Sequence, residues 1–185
     1  MKIKFAARSM FTGFTLATLM ALPITAQAEE NDLTTLWTQT SVEFKATALA
    51  AYKLAEIMLD RGLDDKNWTA AIEQEGDYQD KPTAVILDVD ETVLDNTAYE
   101  AWLIKAKTGY SSKTWAPFVM GATSKPIAGS KEFIDYARSK GVEIFYVSNR
   151  KAPEEEGTVK NLKNLGYYVN EDMDTVLLRG EKEEW

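Results

Sequence analysis

Two aspartates one residue apart, Asp88 and Asp90, stand at the end of the apolar run Thr83-Ala84-Val85-Ile86-Leu87 and are followed by Glu91-Thr92-Val93-Leu94-Asp95-Asn96. Paired carboxylates can divide labour, one ionised as nucleophile or metal ligand and the other carrying a proton. A second apolar run, Val142 to Val147, ends in Ser148-Asn149-Arg150, which is a hydroxyl, an amide and a guanidinium in a row. The rest of the inventory narrows the chemistry. The 185 residues include no histidine and no cysteine. That removes Ser-His-Asp catalysis, phosphohistidine, thiolate nucleophiles, disulfides, zinc sites built on either residue and a lipidated amino-terminal cysteine. Carboxylates, hydroxyls, amines and an oxygen-liking metal ion remain.

The elements that must position these groups read as strands of a parallel sheet. Thr83 to Leu87 is short, β-branched at three of its five positions and preceded by Lys81-Pro82, the pattern of a strand buried on both faces. In open α/β sheets, ligand groups gather just past the carboxyl ends of strands, so Asp88 is expected at the mouth of a crevice. A nearly extended Val89 would keep Asp88 and Asp90 on one side. A strand followed by an acidic turn is the plain alternative.

The periodicity predicts helices over Ser130–Lys140, capped by Ser130 and stopped by Gly141, and over Glu154–Leu165, ended by Gly166. Thr175 to Leu178 reads as a third strand. This alternation predicts an α/β, Rossmann-like parallel sheet with helices on both faces. Ahead of it, a helix over Thr40–Arg61 carries Phe44, Ala48, Ala51, Ala55 and Met58 near one face, widened by Val42, Leu49, Tyr52 and Leu59, and stops at Gly62. A shorter helix, Asp65–Glu75, would bury Trp68, Ala71 and Ile72, and the two form an N-terminal helical brace. Thr97–Lys125 is too long for a simple connection and holds Tyr99, Trp102, Tyr110, Trp115 and Phe118, the content of a small cap insertion. These aromatics suit either a satellite core or a stacking surface for a flat ligand. Trp115 fits both uses equally, and Trp102 is read as packing.

The length suits one domain with a sizeable core. A formal net charge of −8 makes nucleic acid polymers poor partners. Lys2, Lys4 and Arg8, the mostly apolar Met10 to Ile24 and then Ala26-Gln27-Ala28 have the layout of a secretory signal over residues 1–28, cleaved after Ala28. The apolar part is short and interrupted for a membrane span. The expectation is a periplasmic or secreted bacterial protein without lipid or stable membrane anchor, whose domain begins at residue 29.

Asp88-Val89-Asp90-Glu91-Thr92-Val93-Leu94-Asp95-Asn96 resembles the first motif of the haloacid dehalogenase-like phosphatases. Its extended form, with Val147-Ser148-Asn149-Arg150-Lys151 as the second motif, resembles the class C bacterial acid phosphatases of the lipoprotein e 5′-nucleotidase family. The leading helix, the aromatic insertion and the exported context are similar too, so the resemblance covers nearly all of the mature chain. It departs in lacking the lipidated cysteine that gives that family its name. It also lacks a clear third-motif lysine and the fourth motif, Gly-Asp with a second Asp. Lys182 lies near the place for the lysine, but that residue and the acidic motif are expected beyond Trp185. The chain is thus expected to be a fragment of a longer polypeptide, holding half of the active site and inactive alone.

The resemblance implies an exported, Mg²⁺-dependent acid phosphatase acting on small phosphate monoesters, including 5′-nucleotides. Asp88 would be the nucleophile, forming an aspartyl phosphate, and Asp90 the proton donor and acceptor. Mg²⁺ would be held by the Asp88 carboxylate, the Asp90 main-chain carbonyl and a fourth-motif Asp. Ser148, with main-chain N–H groups about Asn149, would hold phosphoryl oxygens, and Trp115 would stack on the base of a nucleotide. Arg150 is read as pairing with the acidic helix that follows it, with steering of phosphate as its other use. A phosphotransferase and a non-catalytic storage or binding protein are the two other readings of the same scaffold. Both aspartates being present weighs against the second.

Overall fold

The computed structural model describes residues 23–182. The basic start, the apolar run up to Leu22 and the last residues, 183–185, lie outside the described residues. The described chain forms a parallel sheet in the order β1-β4-β5, from β1 (Ala84–Leu87), β4 (Glu143–Lys151) and β5 (Val176–Arg179). Leu87 lies beside Tyr146, and Tyr146 beside Val176. Crossovers run through α5 (Ser130–Ser139) and α6 (Glu155–Asn164). This is the mixed α/β arrangement expected from alternating strand and helix patterns.

The apolar core gathers Val89, Val93, Leu94, Phe133, Ile134, Ala137, Ile144, Tyr146, Leu162 and Leu178, all buried. The inward stripe of α5 is Phe133, Ile134 and Ala137, as its sequence period predicts. Ser130 does not cap that helix. Gly129, at φ +87, stands at the cap position. Its left-handed backbone and the approach of Tyr52 Cβ to 3.2 Å from an added Cβ both favour glycine there. The Ser130 hydroxyl turns inward to the Ile127 carbonyl and the Tyr167 hydroxyl.

β1 departs from the sequence reading. It is not buried on both faces: Ile86 is 67% exposed. Among the described residues β1 has a strand neighbour on one side only, so half of its apolar run faces open space rather than a second strand and its covering helices.

Helix α1 (Pro23–Thr40) has no counterpart in the sequence reading, which starts the first helix at Thr40. It packs on α3 (Thr97–Ala106), where Gln39 Nε2 donates to Thr97 Oγ1 at 3.2 Å. Ser41 then caps α2 (Val42–Asp64), its hydroxyl accepting from the Phe44 N–H. α2 runs through Gly62, which therefore does not end it. Tyr52, Ala55, Leu59 and Leu63 pack on the core. Ala55 belongs to the expected face and Tyr52 and Leu59 to its widened edge, while Leu63 lies past the expected end of the helix because α2 continues through Gly62 to Asp64.

The expected helix over Asp65–Glu75 is absent. Asp65 Oδ1 captures the Asn67 N–H and Thr69 Oγ1 captures the Ala71 N–H. These side chains thus compete with helical hydrogen bonds for the same donors. Ile72 ends 89% exposed, and Trp68 lies against Gly62 at 40% exposure.

Between β1 and α5 the chain leaves the sheet through a short antiparallel ribbon, β2 (Leu94–Asp95) with β3 (Lys125–Pro126). Beyond this ribbon stand α3 and α4 (Ser112–Gly121), which carry the aromatic residues. Gly157 of α6 lets α4 come close. A Cβ there would lie 2.6 Å from the Val119 carbonyl oxygen and 2.8 Å from Met120 Cα. No helix among the described residues is long and apolar enough to cross a membrane.

Candidate active site

β4 explains why one strand can serve both the core and a site. Ile144, Tyr146, Ser148 and Arg150 are all buried while the residues between them are not. With side chains alternating along a strand, these four share one face. That face changes from apolar to polar as it nears the carboxyl end. There the pairing with β5 is irregular: Ser148 lies beside Leu178 and Lys151 beside Arg179. Such bulges re-aim side chains next to sites. Asn149 falls on the other face and is exposed, apart from Ser148 and Arg150.

Asp88 directly follows Leu87, whose neighbour is Tyr146. It therefore reaches the carboxyl edge beside Val147 and Ser148, with strands roughly 4.8 Å apart. Its side chain is exposed, and Oδ1 accepts from the Val89 N–H at 2.7 Å.

The loop after it is built to hold still. Val89 and Val93 are fully buried, and the Val93 and Leu94 N–H groups both donate to the Val89 carbonyl at 2.9 Å. Glu91 sits at φ +53, a left-handed conformation uncommon for a residue with a Cβ. Its N–H donates to the Leu94 carbonyl, and its carboxylate turns back to accept from the Asn96 N–H at 3.0 Å. Burial pushes the Glu91 carboxyl above its usual range, against the opposing pull of the Asn96 backbone hydrogen bond. Two tyrosines pin the loop's carbonyls. Tyr52 of α2 donates to Thr92 O, and Tyr167 donates to Val93 O at 3.1 Å. The brace helix thus acts directly on the loop.

Asp90 and Arg150 meet across the sheet edge. Arg150 Nη2 lies 2.7 Å from Asp90 Oδ1, and Nε lies 3.0 Å from Oδ1 and 3.2 Å from Oδ2. Asn96 Nδ2 donates to the same Oδ1 at 2.7 Å. The Arg150 side chain is 1% exposed and that of Asp90 25%. Nη1 donates to Thr158 Oγ1 at 3.0 Å, and the Arg150 N–H donates to Ser148 Oγ at 3.2 Å. The Trp115 ring lies over the guanidinium, 5.5 Å from Cζ to centroid.

This corrects the sequence reading of Arg150. It pairs with Asp90, and its contact on the following helix is a hydroxyl. The nearby acidic residue, Glu154, is used otherwise, accepting from the Lys151 N–H at 2.9 Å. Trp115 is also part of an aromatic cluster, with its ring 5.1 Å from Tyr99 and 5.5 Å from Phe118. Packing and proximity to the site therefore coexist in one side chain. Trp102 stacks on Tyr99 at 5.9 Å and stays 45% exposed.

Residues 14–185 match the model of the HAD superfamily, subfamily IIIB (acid phosphatase). The chain belongs to that family. It is also similar to the crystal structure of a class C acid phosphatase from Bacillus anthracis with tungstate bound, at 34% identity over 84% of this chain, with a TM-score of 0.71. A second structure of the class C acid phosphatase from Bacillus anthracis matches at 32% identity over 83% of this chain, with a TM-score of 0.70. The chain spans 60% and 59% of the lengths of those two structures.

The donors at this site fit a metal in kind. Asp88 offers a free-facing carboxylate and Asp90 a main-chain carbonyl, both hard oxygens. The Asp90 carboxylate is already committed to Arg150 and Asn96. Among the described residues no group of three or more acidic side chains gathers to complete a cation site.

The sequence reading of this subfamily IIIB site missed the buried polar chain behind Asp90. Asn96 Oδ1 accepts from Ser124 Oγ at 2.7 Å. Asn161 exchanges two hydrogen bonds with the Ser124 backbone, both at 3.0 Å. Asn96, Ser124, Thr158 and Asn161 are all buried. A signal existed: Thr158 and Asn161 share the inward face of α6 with Leu162, where apolar residues are the rule.

Proposed function

We propose that this acid phosphatase family member is an exported phosphomonoesterase working through an aspartyl phosphate. The observation that carries this reading is the Arg150-held Asp90 at the carboxyl end of β4, where Ser148 Oγ accepts from the Arg150 N–H and Asp88 follows the end of the adjacent parallel strand β1. Such edges are where α/β sheets hold ligands.

An Asp88 carboxylate oxygen attacks phosphorus in line, forming the acyl phosphate O–P bond as the bond to the leaving oxygen breaks. Asp90 gives its proton to that oxygen, then accepts one from the water that attacks the phosphorus and releases inorganic phosphate. The Ser148 hydroxyl and main-chain N–H groups about Asn149 are the candidates to hold the phosphoryl oxygens. Asp88 and the Asp90 carbonyl are the candidate ligands for Mg²⁺. When bound, this cation would screen the repulsion between carboxylate and phosphate. Trp115 beside the site supports a flat leaving group, hence 5′-nucleotides among the substrates.

The test is hydrolysis of p-nitrophenyl phosphate and 5′-AMP by the complete gene product, with and without Mg²⁺. Hydrolysis of both that requires the metal is the expected result. Retention of ligand without turnover would favour a binding protein instead. Phosphorylated alcohol among the products would favour a phosphotransferase. Recovery outside the cytoplasm of a chain that begins at residue 29 is the expected sign of export.

A further inference from the structure

The two oxygens of Asp90 are not equivalent. Oδ1 accepts from three donor atoms, Arg150 Nη2 and Asn96 Nδ2, both at 2.7 Å, and Arg150 Nε at 3.0 Å. Among the described residues, Oδ2 accepts only the shared Nε–H, at 3.2 Å. A carboxyl oxygen has two lone pairs in the plane, so Oδ1 is saturated and Oδ2 has a free lone-pair direction. The guanidinium that imposes this is itself fixed. It is buried, bound by Thr158 Oγ1 on one side and covered by the Trp115 ring on the other. Asn96 is fixed likewise, its Oδ1 engaged by the Ser124 hydroxyl.

We propose that Arg150 and Asn96 are positioning residues that anchor Asp90 through Oδ1 and leave Oδ2 as the oxygen that carries the transferred proton. This rests on the reading of Asp90 as proton donor and adds which atom does the work and what aims it. Asp90 is then not a freely rotating acid. Rotation about its terminal bond would break all three donor contacts at once, so the oxygen presented to the leaving group is set from behind by β4 and the ribbon.

A leaving-group comparison tests this on the complete gene product with saturating Mg²⁺. p-Nitrophenyl phosphate has a leaving group that needs little protonation. Benzyl phosphate, of similar size, has one that needs much. Arg150→Lys keeps the charge and removes the planar fork. It is expected to lower kcat on benzyl phosphate at least about tenfold more than on p-nitrophenyl phosphate, within the range a general acid contributes. KM for both substrates should move far less. Asn96→Ser, which removes one Oδ1 donor, should show the same selectivity at smaller size, and it decides the matter alone if Arg150→Lys fails to fold. Asp90→Asn is measured beside them. If Asp90→Asn shows the selectivity and the positioning variants lose both substrates equally, or lose only in KM, the anchoring role is overturned. If Asp90→Asn shows no leaving-group selectivity, Asp90 is not the acid and the parent reading fails instead.

Discussion

The polar chain behind Asp90 and the aromatic cluster of the insertion lie side by side and share Arg150, which is bonded by the first and covered by the second. They are held together by different physics. The polar chain runs Asp90, Arg150, Asn96, Ser124, Asn161, with Thr158 on the guanidinium, and nearly every member is buried and bonded. Each bond is directional, so each position tolerates few other residues. The aromatic cluster of Tyr99, Trp102, Tyr110, Trp115 and Phe118 is held by area and ring contact, and neighbouring rings can adjust to a substitution. The first region should therefore break sharply and the second gradually.

Arg150→Ala should break the comparison at its strongest point. It leaves a partly buried Asp90 without its cation, and removing one partner of a buried pair typically costs about 3–5 kcal/mol. Equilibrium urea unfolding of variant and parent reads this directly. Asn161→Ala strands the Ser124 N–H and carbonyl, both bound by one amide, and should cost about 2 kcal/mol by the same measurement. Trp115→Phe keeps an aromatic ring against Tyr99 and should cost about 1 kcal/mol or less in stability. Its effect should fall instead on KM for 5′-AMP relative to p-nitrophenyl phosphate.

Tyr52→Phe removes one hydrogen bond to Thr92 O and should cost about 1 kcal/mol. It also carries a pH signature. Burial pushes the Tyr52 hydroxyl up from 10.0 to about 12. The favoured neutral form contributes stability that is whole below pH 10 and lost as pH rises towards 12. The parent should lose stability more steeply than Tyr52→Phe across that interval, as alkaline unfolding curves would show.

Much of the fold was legible because its signals are local and periodic. The inward stripe of α5 and the strand after it follow from residue spacing and an apolar run alone, although β4 runs on through Ser148, Asn149 and Arg150 and alternates rather than being buried throughout. The exposed face of β1 was not legible, because an apolar run does not state how many neighbours its strand has. The missing helix after Asp65 shows the opposite failure. Trp68, Ala71 and Ile72 have helical spacing, yet Asp65 and Thr69 take the backbone donors for turns. At the site, Asp88, Asp90 and Ser148 stand out by their place after apolar runs. The Arg150 to Asp90 pairing did not, because it joins residues far apart in sequence, and the acidic helix next to Arg150 offered a nearer partner. Ser124 gives no sign by itself. Its role comes from the ribbon that brings it beneath Asn96.

Covalent capture on Asp88 is the central claim, and it can be measured directly. The complete gene product is mixed with a ³²P-labelled monoester and quenched in acid, and the labelled peptide is mapped. Label on the peptide carrying Asp88, absent from Asp88→Asn, with turnover of that variant lowered by roughly 10⁴-fold or more, is the predicted result. Steady hydrolysis with label on another residue, or an Asp88→Asn variant as active as the parent, would contradict it.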